Sequence, residues 1–410
     1  MTTLKEFSIH TNSFGGSIPK EIGNMKFLMT LSLRNNNLTE IGNLGTLHNL
    51  HLYANQLSGS IPREIGNLSN LLVLDLNSNN LSGSFPASIG NMSSISSIYL
   101  YDNSLSGHIP REIGNLANLR DLQLLTNQFS GKIPTEIENL VNLRTLLISK
   151  NQFSGKIPRE LGNLSNLEIL DLSFNNLSGP LPTSIGKLTN LSELVLIQNK
   201  LNGSLPSTIN NLTSIKNLQL AINNFNGRLP QQICGSGSLK AFSASENHFT
   251  GPIPKSLKNC SRLVRLRLHR NQLIGNLTEA FGFMPPELGK ATQLHVLDLF
   301  SNHLSGNIPE ELGSLKLLLI LMLSCNQLSG KIPHSTGMLA DLENLNLASN
   351  NLSGSITKEL GGCLKLITMN LENNKFERSV PREIANIYSL ENLDLSSNLL
   401  SGKIPPQHAQ

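Results

Sequence analysis

Apolar residues recur along the chain with a period of 24 residues. The unit reads L-x-x-L-x-L-x-x-N-x-L-S-G-x-I-P-x-x-I-G-N-L-x-x, and a good copy runs from Leu167 through Asn175 to Pro182. Within L-x-L the period is two, so both leucines face one side of a short strand. The stretch after I-P predicts one short helical turn. A single unit cannot bury its own leucine face, so the pattern predicts a stack of units.

An asparagine ends the strand of each unit. Its amide donates and accepts, so a column of stacked asparagines can satisfy backbone groups that the stack buries. The glycine of S-G predicts a positive φ, and the proline of I-P suits an extended segment at a sheet edge. These asparagines, all but two of them 24 residues after the previous one, are Asn12, Asn36, Asn55, Asn79, Asn103, Asn127, Asn151, Asn175, Asn199, Asn223, Asn247, Asn271, Asn302, Asn326, Asn350, Asn374 and Asn398.

Period and pattern together are those of leucine-rich repeats. The sequence predicts one α/β solenoid domain over residues 1–410, a right-handed superhelix of about 17 repeats. We expect a parallel β-ladder on the concave face and short helical turns on the convex face.

Two intervals break the period. A short repeat spans residues 36–55, where five residues of the spacer are missing. An irregular seam lies near residues 272–289, where the run 284–289 (M-P-P-E-L-G) reads like part of a later repeat. We favour a deletion or a gene-model splice at the seam, near residues 281–283; a natural irregular loop is the alternative.

Composition narrows the functional classes. The net charge of +4, from 32 basic and 28 acidic residues, argues against general nucleic-acid binding. Four cysteines are too few for a disulfide scaffold, and no apolar run reaches the roughly 18 residues of a membrane span. Metalloprotease, P-loop, serine-hydrolase and kinase motifs are absent from the sequence. We therefore predict a binding protein that is not an enzyme and has no metal or cofactor.

The strand around Leu266 carries the strongest candidate binding group. Arg265 and Arg267 alternate with core leucines, so they share the concave face roughly 7 Å apart. His269 continues the row, and Lys240 is expected beside Arg265 by repeat register. Two guanidinium groups can hold a carboxylate bidentately. The alternative is two solvated arginines on a polar face.

Tyrosines form a second candidate group. Tyr53, Tyr99 and Tyr101 occupy concave positions in two repeats, and tyrosine offers flat contact area at an interface. Aspartates also recur in an L-D-L slot of the concave strand, where a structural role is favoured over a ligand-binding one. These are Asp75, Asp171, Asp298 and Asp394.

The L-S-G-x-I-P spacer is similar to the plant-specific form of the repeat. Over residues 4–405 the chain resembles the extracellular domain of a plant leucine-rich-repeat receptor-like kinase of the male-discoverer-interacting type. The resemblance implies an extended peptide or protein ligand on the concave face and a co-receptor kinase at the C-terminal repeats. In peptide-hormone receptors of this superfamily an R-x-R pair holds the ligand's C-terminal carboxylate, and Arg265 and Arg267 match it.

The resemblance also sets expectations for location and ends. The full-length parent would lie at the plasma membrane with this domain on the extracellular face, acting in signalling or defence. This sequence shows no signal peptide, caps, membrane helix or kinase, so we expect a piece truncated at both ends. The rival readings are a secreted polygalacturonase-inhibitor-like defence protein and a non-functional truncated receptor product.

Cysteines and glycosylation motifs bear on secretion. The resembling receptors often carry the pair Cys234 and Cys260, which implies a disulfide; Cys325 and Cys363 are expected to be unpaired, as buried or small-residue substitutes. The density of N-x-S/T motifs favours a secreted glycoprotein, although repeat consensus also produces them and some of the asparagines are expected to be partly packed. The motifs lie at Asn37, Asn67, Asn80, Asn91, Asn163, Asn176, Asn190, Asn202, Asn211, Asn259, Asn276 and Asn351.

Overall fold

The computed structural model describes residues 3–40, 47–281 and 293–404. These residues form two compact units, Met1–Asn202 and Gly203–Gln410. Each unit is a stack of repeats built in the same way: two short strands, then a short helix, then the next repeat. The fold is a leucine-rich-repeat solenoid in each unit, as the sequence predicts.

Within each unit the first strand of a repeat pairs in parallel with its counterpart in the next repeat, and we call the result the first ladder. Leu146 lies opposite Leu170 and both are fully buried, while the residues on either side of each point to the other face. We call that second side the ladder face. In the first unit the strands are Glu6–Ser8, Thr30–Ser32, Asn49–His51, Val73–Asp75, Ser97–Tyr99, Asp121–Gln123, Thr145–Leu147, Ile169–Asp171 and Glu193–Val195. In the second unit they are Asn217–Gln219, Ala241–Ser243, Arg265–Arg267, Val296–Asp298, Ile320–Met322, Asn344–Asn346, Thr368–Asn370 and Asn392–Asp394.

A second ladder, which the sequence did not predict, follows each signature asparagine. The segment N-x-L-S-G is itself a strand, with Leu177 buried between exposed Asn176 and half-buried Ser178, and with Gly179 at φ +80°. The positive φ of this glycine is the one that the sequence predicts. The first strands of this set are Gly15–Ser17, Asn37–Glu40, Ser58–Ser60, Asn80–Ser84, Ser104–Gly107, Gln128–Gly131, Gln152–Gly155, Asn176–Gly179 and Lys200–Ser204. The later ones are Asn224–Arg228, His248–Gly251, Gln272–Asn276, His303–Asn307, Gln327–Gly330, Asn351–Ser355, Lys375–Arg378 and Leu399–Leu400.

The predicted helical turn is a five-residue 3-10 helix. It usually begins after a proline whose fixed φ ends the extended segment, as Pro158 does before Arg159–Asn163, although Lys358–Gly362 begins after Thr357. Its glycine allows close stacking, because a Cβ on Gly162 would stand 2.4 Å from the carbonyl oxygen of Ser184. In the first unit these helices are Lys20–Asn24, Arg63–Asn67, Ala87–Asn91, Arg111–Asn115, Thr135–Asn139, Arg159–Asn163 and Thr183–Lys187. In the second they are Ser207–Asn211, Lys255–Asn259, Glu310–Ser314, His334–Met338, Lys358–Gly362 and Arg382–Asn386, beside one α-helix, Leu277–Phe281.

The signature asparagines form the predicted hydrogen-bonded column. The Nδ2 of Asn175 lies 3.1 Å from each of three carbonyl oxygens, those of Ile148, Leu172 and Ser173. Its Oδ1 accepts the backbone N–H of Phe153 at 2.9 Å. One buried side chain therefore satisfies backbone groups of its own repeat and of the preceding one.

The residue before each signature asparagine adopts a left-handed backbone conformation, which the sequence did not reveal. Phe174, with φ +54°, and Ile222, with φ +57°, are bulky examples. Such a conformation costs a residue with a Cβ about 1–2 kcal/mol. It persists because the backbone at this point still bonds to the next repeat, as when Phe174 donates to the carbonyl of Ile197 at 2.8 Å.

The short repeat at residues 36–55 keeps the first ladder intact. Thr30 lies opposite Asn49, and Asn55 accepts the N–H of Leu38 at 3.1 Å, so strand register and asparagine column both continue. The second ladder changes instead: Asn37–Glu40 and Gly15–Ser17 form a two-stranded sheet of their own. Residues 41–46 lie outside the described residues.

The seam also leaves the ladders paired. Leu266 lies opposite Leu297, and Ile274 lies opposite His303, so both ladders pass across the long interval. Within the predicted seam the structure describes the strand Gln272–Asn276 and the helix Leu277–Phe281. Residues 282–292, including the run 284–289 on which the splice hypothesis depends, lie outside the described residues, so the hypothesis stays a prediction.

Leu170→Ala is expected to lower the free energy of unfolding by about 2–5 kcal/mol, because it leaves a cavity in a fully buried row. Urea denaturation followed by circular dichroism measures the change. Ile169→Ala is the matched control, since Ile169 belongs to the same strand but is only half-buried on the ladder face. Equal losses for the two variants would contradict the assignment of faces.

Asn175→Ala is expected to lower the free energy of unfolding by at least about 2 kcal/mol, because several buried backbone groups lose their partner. Asn176→Ala is the control: this neighbouring asparagine is exposed. The same denaturation experiment compares the two. A loss confined to Asn176→Ala, or no loss in either variant, would show that the column is dispensable.

Candidate ligand-binding surface

Arg265 and Arg267 lie on the ladder face of the second unit. Both are exposed on either side of buried Leu266, as the alternation predicts. The preceding strand offers them small neighbours, because Ala241 lies opposite Arg265 and Ser243 opposite Arg267. On the other side Val296 and Asp298 are the register partners. The small side chains leave the two guanidinium groups open to a ligand from that side.

His269 follows the arginine pair but is packed rather than open. Its ring stacks on Phe300 with centroids 4.7 Å apart and planes 10° apart. Its Nδ1 lies 2.8 Å from Oδ2 of Asp298, a contact between the two groups rather than an aligned hydrogen bond. The side chain of His269 is only 16% exposed. The structure thus brings His269 close to Asp298, its neighbour in the following repeat.

Two further charged residues complete this neighbourhood. Glu246 lies 3.5 Å from the guanidinium of Arg270 and 3.9 Å from Nε2 of His269. The guanidinium carbon of Arg270 stands 5.4 Å from the centroid of Phe300. Sequence reasoning missed the roles of Glu246 and Arg270, and it placed Phe300 just beyond its strand without linking it to His269. The repeat register would have placed Phe300 beside His269, because both stand two residues before a signature asparagine.

The expected place of Lys240 was wrong by one residue. Ala241, and not Lys240, is the register partner of Arg265. The backbone carbonyl of Lys240 accepts the N–H groups of Val264 and Arg265, at 2.7 and 3.2 Å. Lys240 is exposed and immediately precedes the strand Ala241–Ser243. It is therefore offset by one position from the register partner of Arg265, and successive positions along an extended segment point to opposite faces.

In the first unit, Tyr53 lies two residues after the first-ladder strand Asn49–His51, beside a basic residue. Its hydroxyl accepts a hydrogen bond from the guanidinium of Arg34, whose central carbon lies 5.4 Å from the tyrosine ring centroid. Tyr53 is half-buried. One face of the ring is therefore covered by Arg34, which limits the area that a ligand could contact.

Tyr99 ends the strand Ser97–Tyr99, and Tyr101 lies two residues further along the chain. Both are half-buried. The hydroxyl of Tyr99 donates to Oδ2 of Asp121 at 3.1 Å. Burial raises the pKa of both phenols, and the carboxylates of Asp121 for Tyr99 and Asp75 for Tyr101 add to the rise. Burial also raises the pKa of Asp121. Both phenols therefore keep their protons at neutral pH and remain hydrogen-bond donors.

The L-D-L aspartates have local partners, in line with the favoured structural role. Asp171 accepts the N–H and the hydroxyl of Ser173, and Asp394 accepts the same two groups of Ser396. Asp75 accepts from the side-chain amide of Asn77. Asp298 differs, because the residue two positions later is Phe300, which offers it only a backbone N–H at 3.4 Å.

Cys234 and Cys260 are joined by a disulfide, with their Cα atoms 5.4 Å apart. Cys325 and Cys363 are free. Cys363 is buried, and burial raises the pKa of its thiol to about 11. Cys325 is exposed, so of the two expected alternatives the buried one does not apply to it; it occupies the left-handed position before Asn326.

The asparagines of the twelve glycosylation motifs are all exposed, so the expectation that some are packed was wrong. Two of them nonetheless use their amide nitrogens: Asn163 donates to Glu138 at 2.8 Å, and Asn190 donates to the carbonyl of Ser165 at 3.0 Å. None stands within a strand of the first ladder. The motifs come from the second strands and the helical side of the repeat.

Across residues 3–40, 47–281 and 293–404, no helix has the length and apolar character needed to cross a membrane. The same residues contain no group of three His, Cys, Asp or Glu side chains placed to hold a metal ion.

Family models agree with the fold. A leucine-rich repeat region matches residues 34–155 and 135–229, and a leucine-rich repeat matches residues 293–315, 341–363 and 389–409. No curated protein sequence matches the chain. The repeats and the solved relatives below together show that the chain belongs to the leucine-rich-repeat family.

Among solved structures the chain is similar to plant receptor ectodomains. The plant peptide hormone receptor RGFR1, in complex with RGF2, is 34% identical at a TM-score of 0.82, and the match covers 99% of this chain and 73% of the receptor. A TDR receptor is 29% identical at 0.78, covering 98% and 81%. The Arabidopsis receptor kinase HAESA, with the peptide hormone IDA and the co-receptor SERK1, is 30% identical at 0.67, covering 100% and 80%.

The thiols provide a test of this arrangement. At pH 8 the native protein is expected to react promptly with one equivalent of a chromogenic disulfide reagent at Cys325, because Cys363 is buried and keeps its proton. Two equivalents are expected in denaturant without reductant. Cys325→Ser should abolish the prompt reaction. Four equivalents in denaturant would mean that Cys234 and Cys260 are not joined.

Proposed function

We propose that this chain is the ligand-binding part of a plant leucine-rich-repeat receptor-like kinase of the male-discoverer-interacting type. It recognises an extended peptide through the ladder face and catalyses no reaction itself. The observation that carries the proposal is the pair Arg265 and Arg267, exposed on one strand beside the small side chains of the preceding strand. The solved relatives RGFR1, a peptide hormone receptor, and HAESA, in complex with the peptide hormone IDA, support the ligand class.

The chemistry of the pair favours a carboxylate. Each guanidinium presents paired N–H donors in a plane that matches a carboxylate, and charge-assisted bonds of this kind are shorter and stronger than neutral ones. Around this strand, in the part of the chain that the structure describes, neither arginine forms an ion pair. The donors are therefore free to bind the C-terminal carboxylate of a peptide.

The same proposal assigns a setting and a partner. The full-length parent lies at the plasma membrane with these repeats outside the cell, carries N-linked glycans, and signals through a kinase. The exposure of every motif asparagine and the disulfide between Cys234 and Cys260 support an extracellular setting. A co-receptor kinase joins at the C-terminal repeats; the HAESA complex, which contains SERK1, supports that class of partner.

Arg265→Ala combined with Arg267→Ala is expected to weaken binding of a carboxylate-ended peptide by about 2–4 kcal/mol, roughly 30- to 1,000-fold. The protein is screened by biolayer interferometry against synthetic extended peptides, each made with a free carboxylate and with a terminal amide. The amide form of a binding peptide should lose affinity for the native protein by a similar factor.

Arg111→Ala combined with Arg159→Ala is the matched control. It removes the same charge from two exposed helix positions, where each arginine pairs only with the adjacent glutamate. Unchanged binding in this control together with a loss in the ladder-face variant supports the site. Unchanged binding in both variants would reject it.

A further inference from the structure

The acidic residue nearest in register to the arginine pair does not pair with it. Oppositely charged residues directly across neighbouring strands usually attract each other. Asp298 is the register partner of Arg267. Its carboxylate nevertheless lies against the ring of His269, at 2.8 Å, and among the described residues of this region Arg267 has no ion-pair partner.

Other repeats show what normally holds the aspartate of the L-D-L slot. Asp171 and Asp394 are held by a serine two residues later, and Asp75 by an asparagine. At Asp298 this position is Phe300, whose side chain has no donor. A ring from the preceding repeat stands in its place, because Nδ1 of His269 lies 2.8 Å from Oδ2 of Asp298.

The orientation of His269 is fixed by its neighbours. Phe300, from the following repeat, stacks nearly parallel to the imidazole ring of His269. The guanidinium of Arg270 lies over the same phenyl ring. Glu246, the other acidic residue near His269, forms an ion pair with Arg270 at 3.5 Å. Its carboxylate also lies 3.9 Å from Nε2 of His269. Both acids near the arginine pair are therefore engaged by other side chains.

We propose that His269 is a positioning residue that keeps Arg267 available to an anionic ligand by holding Asp298. With the histidine ring gone, Asp298 has no side-chain partner in its own repeat, and its nearest basic register neighbour is Arg267. A carboxylate that turned to Arg267 would cancel half of the charge of the pair. The role in binding rests on the proposed function, but the availability of Arg267 can be measured without any ligand.

The test is chemical modification of arginine by phenylglyoxal, which reacts fastest with guanidinium groups that are not ion-paired. The full chain is labelled for short times, digested with a protease that does not cut at arginine, and read by tandem mass spectrometry. Arg265 is the internal control. It stands two residues from Arg267 on the same strand, is also exposed, and has the uncharged Val296 as its register partner.

Three proteins are compared: the native chain, His269→Phe, and His269→Phe combined with Asp298→Asn. The phenylalanine keeps the stacking on Phe300 and removes the ring nitrogen that contacts Asp298. The rate at Arg267, divided by the rate at Arg265, is expected to fall about two- to fivefold in His269→Phe, the range for a partly exposed ion pair. The double variant should restore the native ratio, because an asparagine cannot hold Arg267 by charge.

His269→Ala serves as a second variant if His269→Phe does not fold, with thermal melting as the check on folding. A rate ratio that stays native in the folded single variant overturns the proposal. A fall that Asp298→Asn does not reverse also overturns it, because some other group then captures Arg267. A peptide-binding failure with the expected labelling result would count against the proposed function and leave the role of His269 standing.

Discussion

The hydrogen bonds of one buried asparagine per repeat are the constraint on which the rest of the structure depends. At Asn175 a single amide holds carbonyls of two repeats and accepts an N–H of the earlier one. This fixes where the first strand ends and where the second begins. These hydrogen bonds also offset the conformational cost of the left-handed backbone at the preceding residue, a conformation that even residues as bulky as Phe174 and Ile222 adopt. Leucine burial supplies most of the stabilisation, but it is not directional and could not set this register.

Because the asparagine column fixes the register, side chains on the ladder face meet across repeats rather than along the chain. His269 meets Phe300 and Asp298, and Tyr99 meets Asp121, each a repeat apart. The chemistry of a site on such a surface is therefore decided by pairs that lie far apart in sequence. A single substitution changes the surroundings of two neighbouring repeats.

The sequence predicted what depends on period and amide chemistry: the repeat, the buried leucine rows, the asparagine column and the glycine with positive φ. It did not predict the second ladder, because N-x-L-S-G is too short and too polar to read as a strand. It did not reveal the left-handed residue either, since any residue type occurs there. Arg265 and Arg267 could be placed on one face by alternation, whereas Lys240 was misplaced by one residue. The hold of His269 on Asp298 depends on ring orientation, which no sequence pattern encodes.

The short repeat has a consequence for how such a chain can vary. Five residues are missing between Asn36 and Asn55, yet Thr30 still faces Asn49 and the change falls on the second ladder. A difference in repeat length thus changes the second ladder, while the spacing of side chains on the first ladder is unchanged. Recognition and repeat length are then separable traits: a repeat can be shorter or longer than 24 residues while the spacing of the ladder-face side chains that would contact a ligand stays the same.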